Sequence, residues 1–266
     1  MKKILSLVLI TLLSVSLLAA CGKETSDSNS IIIGVSPNPH EDIVEIIIDD
    51  LEEEGIEVEL KTFNDYKTPN IALDDGEIDA NFFQHEPYLD DFVENEGVDL
   101  VSLGGIHIEP MAVYSSRLDS FDDIEDGSEI AIPNDTVNGG RALILLENHG
   151  LIKLDEDVGL EATENDIVDN PKDITFTTLE AAIIPNSLDD VDAAVINGNY
   201  ALEADLNPVG DGLIIEDSDS PYANILAVRA GEEDEDKFTK LLEALQSDKI
   251  KDYIENEYNG AIVPAF

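Results

Sequence analysis

The chain has 266 residues, with 60 Asp plus Glu against 14 Lys plus Arg and a formal charge of −46. That sign excludes nucleic acid as a partner, because phosphate binding needs a basic surface. A single Cys excludes a disulfide framework and leaves no second thiol for chemistry, while 43% apolar residues in periodic runs exclude wholesale disorder.

The first element is "MKKILSLVLITLLSVSLLAAC": a basic start (Lys2, Lys3), an apolar run and then small residues. It reads as a secretory signal peptide over 1–20, not as a spanning helix of the mature protein. Its end, Leu18-Ala19-Ala20-Cys21, resembles the bacterial lipobox. Cys21 is therefore expected to become the first residue and to carry a diacylglyceryl group, each buried CH₂ being worth about 0.8 kcal/mol of membrane affinity. Residues 21–30 form a polar tether. Loss of Lys2 and Lys3 leaves 12 bases against 60 acids, a mature charge of −48. Such an acidic shell suits a salty exterior, where counter-ions screen the self-repulsion.

From residue 31 onward the pattern alternates strand and helix. A β-branched run at 30–38 reads as a buried strand, followed by a helix over 40–55 with Ile43, Ile46, Ile47 and Leu51 on one face. Strands follow at 56–64 and at "ANFFQHE", with helices at 68–79 (entered at Pro69) and 87–97 (entered at Pro87). Two strands flank Pro110 in 99–116. The pattern then restarts: a strand at Glu129–Pro133, a helix from Val137 to Asn148, strands at 174–180 and Asp192–Ile196, a further helix, a strand at 220–231 and C-terminal helices over 234–258.

This predicts an α/β protein of two lobes with mostly parallel sheets. Lobe 1 takes 31–115, lobe 2 takes 116–220, and 221–266 returns to complete lobe 1. Ligands of such folds sit in the crevice beyond the strand C-termini. Two crossing segments, "PMAVYSS" and "PYANILAVR", allow the crevice to close.

Enzyme signatures are missing. No Ser stands in a G-x-S-x-G elbow, and no Walker loop or G-x-G-x-x-G turn follows a strand. His40, His85, His107 and His149 form no H-x-H or H-E-x-x-H pair, so no metal site, cofactor or catalytic residue is expected. Carboxylates are too abundant for any pair to stand out.

Arginine is scarce: Arg117, Arg141 and Arg229. With Asn138 as N-cap, Arg141 falls at the third helical position, where a cation opposes the helix dipole. Either it pairs with a surface acid, or an incoming carboxylate meets free N–H groups and the guanidinium together, with Gly139 and Gly140 letting the backbone approach. Asn138, Asn197 and Asn224 occupy strand-end or hinge positions; each serves either as a turn former or as a neutral donor and acceptor for a zwitterion. Of 15 Phe plus Tyr, six lie in residues 63–92. Alternation puts Phe82 and Phe83 on opposite faces of a strand, one for the core and one, with His85, for the crevice. Tyr66 and Tyr88 would join it, and aromatic rings pack well against sulfur.

The strings "TFNDYKTPNIALDDGEIDANFFQHEPYLD", "GSEIAIPNDTVNGGRALILLENHGLIKL", "SLDDVDAAVINGNYAL" and "EDSDSPYANILAVR" resemble the methionine-binding lipoproteins of bacterial ABC importers, the NlpA lipoprotein family. The likeness runs from the lipobox to the C-terminus. It implies a type II periplasmic-binding-protein fold and no catalysis. It also implies a pocket in which Tyr66, Phe83, His85 and Tyr88 surround a thioether, Arg141 binds the carboxylate, and Asn138, Asn197 and Asn224 fix the α-carboxylate and α-amine. The loop departs from the family pattern at Thr136, Val137 and Gly140.

The partners implied are L-methionine (or D-methionine or methionine peptides in some members), a permease with its cytoplasmic ATPase, and the membrane through the Cys21 lipid. A monomer on the extracytoplasmic face is expected. The alternatives are another small amino acid or a methionine dipeptide as ligand, or a surface lipoprotein acting as scaffold or adhesin.

Overall fold

The computed structural model describes residues 29–217 and 220–266, so the leader, Cys21 and most of the tether lie outside the described residues. Along the chain the first run is β1 (Ser30–Val35), α1 (Asp42–Glu45), α2 (Ile48–Glu53), β2 (Glu57–Thr62), α3 (Thr68–Asp74), β3 (Ala80–His85), α4 (Glu86–Glu96) and β4 (Leu100–Ile108). The second run is β5 (Ala112–Tyr114), β6 (Glu129–Pro133), α5 (Thr136–Asn148), β7 (Lys153–Leu154), β8 (Ile167–Asp169), β9 (Thr175–Leu179), β10 (Ala193–Ile196), α6 (Gly198–Glu203) and β11 (Ile214–Ile215). The chain ends with β12 (Ala223–Arg229), α7 (Asp236–Leu245), α8 (Asp248–Glu257) and β13 (Val263–Pro264).

Two sheets result. One has the order β13-β4-β12-β3-β1-β2, the other β11-β5-β10-β6-β9, and β7 and β8 make a separate ribbon. β1 pairs parallel with β2 and β3. The returning strand β12 runs antiparallel between β3 and β4, as a chain re-entering from the far lobe must. Each sheet is thus parallel on one side, β3-β1-β2 and β10-β6-β9, and antiparallel on the other, so the mostly parallel sheets expected from the strand–helix alternation are not found: the strands around each crossing, β4 and β12 in one sheet and β5 and β11 in the other, pair antiparallel. β5 hydrogen-bonds to β10 in the second sheet, so sheet membership changes at Glu109–Met111, earlier than the boundary expected at 115. The crossings are short links between strands rather than continuous strands.

Each lobe has its own apolar centre. In the first, Ile31, Ile33 and Val35 of β1 meet Phe238, Leu241 and Leu245 of α7 and Ile250 and Ile254 of α8. The α7 residues recur at helical spacing on one stripe, which is why a segment at the chain's end packs beside its first strand. In the second, Ile130, Ile132 and Val195 pack on Ala142, Leu143 and Leu146 of α5. The helix expected over 40–55 breaks at Ile46–Ile47, where the Ile47 N–H turns back to Val44 O at 3.0 Å. Three consecutive β-branched residues there are poor helix formers. Among the described residues no helix is long and apolar enough to cross a membrane.

Candidate functional site

The lobes meet over a narrow cavity. Every residue proposed from the sequence lines it: Tyr66, Phe83, His85 and Tyr88 from the first lobe, Asn138, Arg141 and Asn197 from the second, and Asn224 from the return strand.

One half of the cavity is aromatic. Phe83 forms a ring box with Tyr66 (centroids 6.2 Å) and Tyr88 (6.4 Å), and Tyr66 and Tyr88 are 5.8 Å apart. β3 orients it. Phe82 is fully buried in the core, with its ring edge-on to His40 at 4.6 Å, while Phe83 faces the cavity. A bulge helps: Gln84 faces Ile225 and Phe82 faces Leu226, so Phe83 is the extra residue. Behind it Asn70, Asn81 and Gln84 satisfy one another at 2.7–3.0 Å, which keeps this buried polar cluster closed.

His85 ends β3 and caps α4, its Nδ1 accepting the Tyr88 N–H at 3.2 Å. Its Nε2 then carries the proton and donates to Asn138 Oδ1 across the cleft at 3.1 Å. Burial, then the Arg141 charge, lower the His85 pKa to about 3, so it serves as a neutral donor. Tyr66 also spans the lobes, its hydroxyl donating to Asn199 Oδ1 at 2.5 Å.

The other half is polar. α5 begins with Asp135 as N-cap, not Asn138: the Asp135 Oδ1 accepts both the backbone N–H and the Nδ2 of Asn138 at 2.9 Å. A carboxylate caps better than an amide beside the positive end of a helix dipole. Arg141 therefore stands in the second turn, and the conflict with the dipole disappears. Gly139 and Gly140 serve packing rather than ligand approach. A Cβ on Gly140 would come 2.3 Å from Leu160 O, and one on Gly139 2.9 Å from Pro133 O. Asn138 Oδ1 also accepts from Asn197 Nδ2 at 2.7 Å, while Asn197 Oδ1 is buried without a hydrogen-bond partner among the described residues.

Arg141 is 3% exposed. Its Nε donates to Glu216 Oε1 at 3.0 Å and its Nη2 to Glu216 Oε2 at 2.5 Å, a two-point pair. Nη2 also reaches Glu109 O at 2.8 Å, and the guanidinium lies 4.3 Å from the Tyr222 ring centre. Among the described residues Nη1 takes no hydrogen bond, so the cation is rigidly held with one edge remaining.

Sequence reasoning missed the floor of the cavity. Glu109, at the crossing between lobes, is 5% exposed. Its Oε1 lies 2.8 Å from His107 Nε2 and 3.3 Å from His40 Nε2. His40 Nε2 also donates to Asn224 Oδ1 at 3.1 Å, and its Nδ1 takes the Ser36 hydroxyl at 2.6 Å. Burial holds His40 neutral down to about pH 4 and His107 to about 3. Burial also raises the Glu109 pKa, with His40, Arg141 and the Asn199 N–H opposing. Among the described residues, these three are the group whose donor atoms converge enough to hold a metal ion, and the buried His107 Nδ1 has no hydrogen-bond partner among them. A signal existed. Glu109 sits in "IHIEPM", an apolar context unlike the acid-rich runs that hide the other carboxylates.

Two α/β lobes around a closable cavity with an aromatic half and a polar, charge-bearing half define a solute-binding protein fold. The chain belongs to the NlpA lipoprotein family, whose model matches residues 31–266. It is 44% identical over 249 residues, 92% of either chain, to the D-methionine-binding lipoprotein MetQ of Salmonella typhimurium. The structure of a nutrient binding protein from Burkholderia cenocepacia bound to methionine superposes with a TM-score of 0.86 at 43% identity, covering 89% of this chain and 100% of that one. An ABC transporter periplasmic substrate-binding protein from Coxiella burnetii gives 0.85 at 38% identity, covering 88% and 100%.

Proposed function

We propose that this protein is a lipid-anchored, extracytoplasmic binding protein that captures methionine between its lobes and hands it to a membrane permease driven by an ATPase. The observation that carries this reading is the split cavity. A thioether chain suits the box of Tyr66, Phe83 and Tyr88, since sulfur is attracted to ring edges, and His85 closes that end as a neutral group. The α-carboxylate meets the remaining edge of Arg141, with Asn138, Asn197 and Asn224 placing the polar end. Because Glu216 already takes Nε and Nη2, the contact is to Nη1 rather than the two-point fork the sequence suggested.

The segments at 109–111 and 220–222 act as the hinge. Tyr66–Asn199 and His85–Asn138 join the lobes when they close, so closure and ligand contact share residues. No step of chemistry is needed for this role. Anchoring rests on Cys21.

The test is mass spectrometry of ligand released from gently purified protein, followed by isothermal titration with L-methionine, D-methionine, methionine dipeptides and other amino acids. Methionine in the released fraction and saturable one-to-one binding are expected. Preference for a dipeptide or an unrelated amino acid would refute methionine as the ligand, and the absence of any small-molecule binding would favour a scaffold.

A further inference from the structure

We propose that Glu109 receives the ammonium group of the ligand and so restricts the cleft to solutes with a free α-amine. This rests on the proposed amino-acid ligand and adds a residue for which the sequence offered only neutral asparagines.

At the polar half the two-point pair uses Arg141 against Glu216. Glu109 has no such cation: its neighbours are imidazoles that burial holds neutral, and burial raises its own pKa, disfavouring its charge until a cation arrives. Neutral hydrogen bonds soften the cost of a buried charge but do not cancel it. A ligand bringing only a carboxylate would deepen the imbalance, whereas a zwitterion supplies a cation where one is missing.

Geometry agrees. Both imidazoles approach the same oxygen, Oε1. The other oxygen, Oε2, lies toward Gly198 at the start of α6: a Cβ built on Gly198 would stand 3.2 Å from Oε2 and 2.7 Å from the Glu109 Cβ. Gly198 therefore lets the Glu109 side chain pack against the start of α6 and fixes where its carboxylate sits. One residue earlier, Asn197 presents an orphaned Oδ1 buried in the same cavity. An ammonium has three donors and no acceptor, and the Glu109 carboxylate and the orphaned Asn197 Oδ1 line the same cavity.

A chemical cycle tests this. Wild type and Glu109→Gln are titrated with L-methionine and with 4-(methylthio)butanoic acid, which lacks the amine, and melting curves check that the variant folds. The wild type should prefer methionine by at least about thirtyfold, the loss expected when a buried charge loses its partner. Glu109→Gln should lose most of that preference, weakening methionine far more than the des-amino acid. Equal weakening of both ligands, or methionine binding within about threefold of wild type, overturns the role of Glu109. So does tight one-to-one Zn²⁺ binding that Glu109→Gln abolishes while methionine affinity stays unchanged, since the carboxylate is then a metal ligand. Failure of the wild type to bind methionine overturns the proposed ligand, whereas equal wild-type affinity for both compounds overturns Glu109 alone.

Discussion

Replacing Arg141 by Met keeps the length of the side chain and removes its charge. The residue is 3% exposed and its Glu216 partner's side chain 14%, so this is a partly buried pair rather than the exposed one that a lone arginine in an acidic sequence suggests. Among the described residues, Glu216 would keep only the Met111 N–H at 3.3 Å. Breaking such a pair costs about 3–5 kcal/mol, and residual exposure of Glu216 places the figure near the lower end. For a domain of this size, about 3 kcal/mol lowers Tm by roughly 6–12 °C.

Removing both partners is a different matter: apolar replacement of a buried pair is often neutral. Arg141→Met with Glu216→Leu should therefore recover stability to within about 1 kcal/mol of wild type. Methionine affinity should stay at least about thirtyfold down in both variants, because the carboxylate of the ligand still lacks its cation. Urea unfolding and isothermal titration measure the two effects separately. Recovery of binding together with stability in the double variant would refute the argument, since Arg141 would then act only by propping the cleft.

Phe82→Ala should cost about 3–5 kcal/mol of folding stability, while Phe83→Ala should cost less stability but weaken methionine roughly tenfold, the scale of one aromatic contact; the reverse pattern would mean that the strand faces are exchanged. His107 titrates near 6.5 when unfolded but is held neutral in the fold to about pH 3. As pH falls below 6.5 the unfolded chain binds the proton first, so the stability this group contributes is fully present above 6.5 and is lost on the way down. The stability difference between wild type and His107→Gln should accordingly be constant above pH 6.5 and fall by about 1.4 kcal/mol per unit below it; a flat difference in denaturant titrations would contradict this. With a formal charge of −46, Tm should rise from low to molar NaCl as carboxylate repulsion is screened, and a flat or falling Tm would show that repulsion is not limiting. Cys21→Ser should abolish incorporation of a fatty-acid analogue, and equal labelling of both forms would disprove the anchor.

The elements and the site residues were legible because they obey local rules. The alternation of strands and helices, the stripe on α7 and the opposite facing of Phe82 and Phe83 follow from periods of 3.6 and 2. Tyr66 follows the end of β2, His85 and Tyr88 lie at the end of β3, and Arg141 stands out by scarcity. Local rules misplaced the α5 cap, where two adjacent candidates, Asp135 and Asn138, compete within one turn. They also missed the break at Ile46–Ile47, where tertiary packing of each isoleucine outweighs helix continuity.

By its sequence alone this protein is an acidic, secreted α/β chain of two lobes with an aromatic-rich stretch and one prominent arginine. Only the tertiary structure decides that Arg141 is paired to Glu216, 75 positions away, that His40 and His107 converge on Glu109, and that Gly198 makes room for the Glu109 side chain. The reason is physical. Periodicity reports which face of an element is buried, but a buried charge is defined by what stands opposite it. In a chain with 60 carboxylates, only the folded arrangement shows which few have left water.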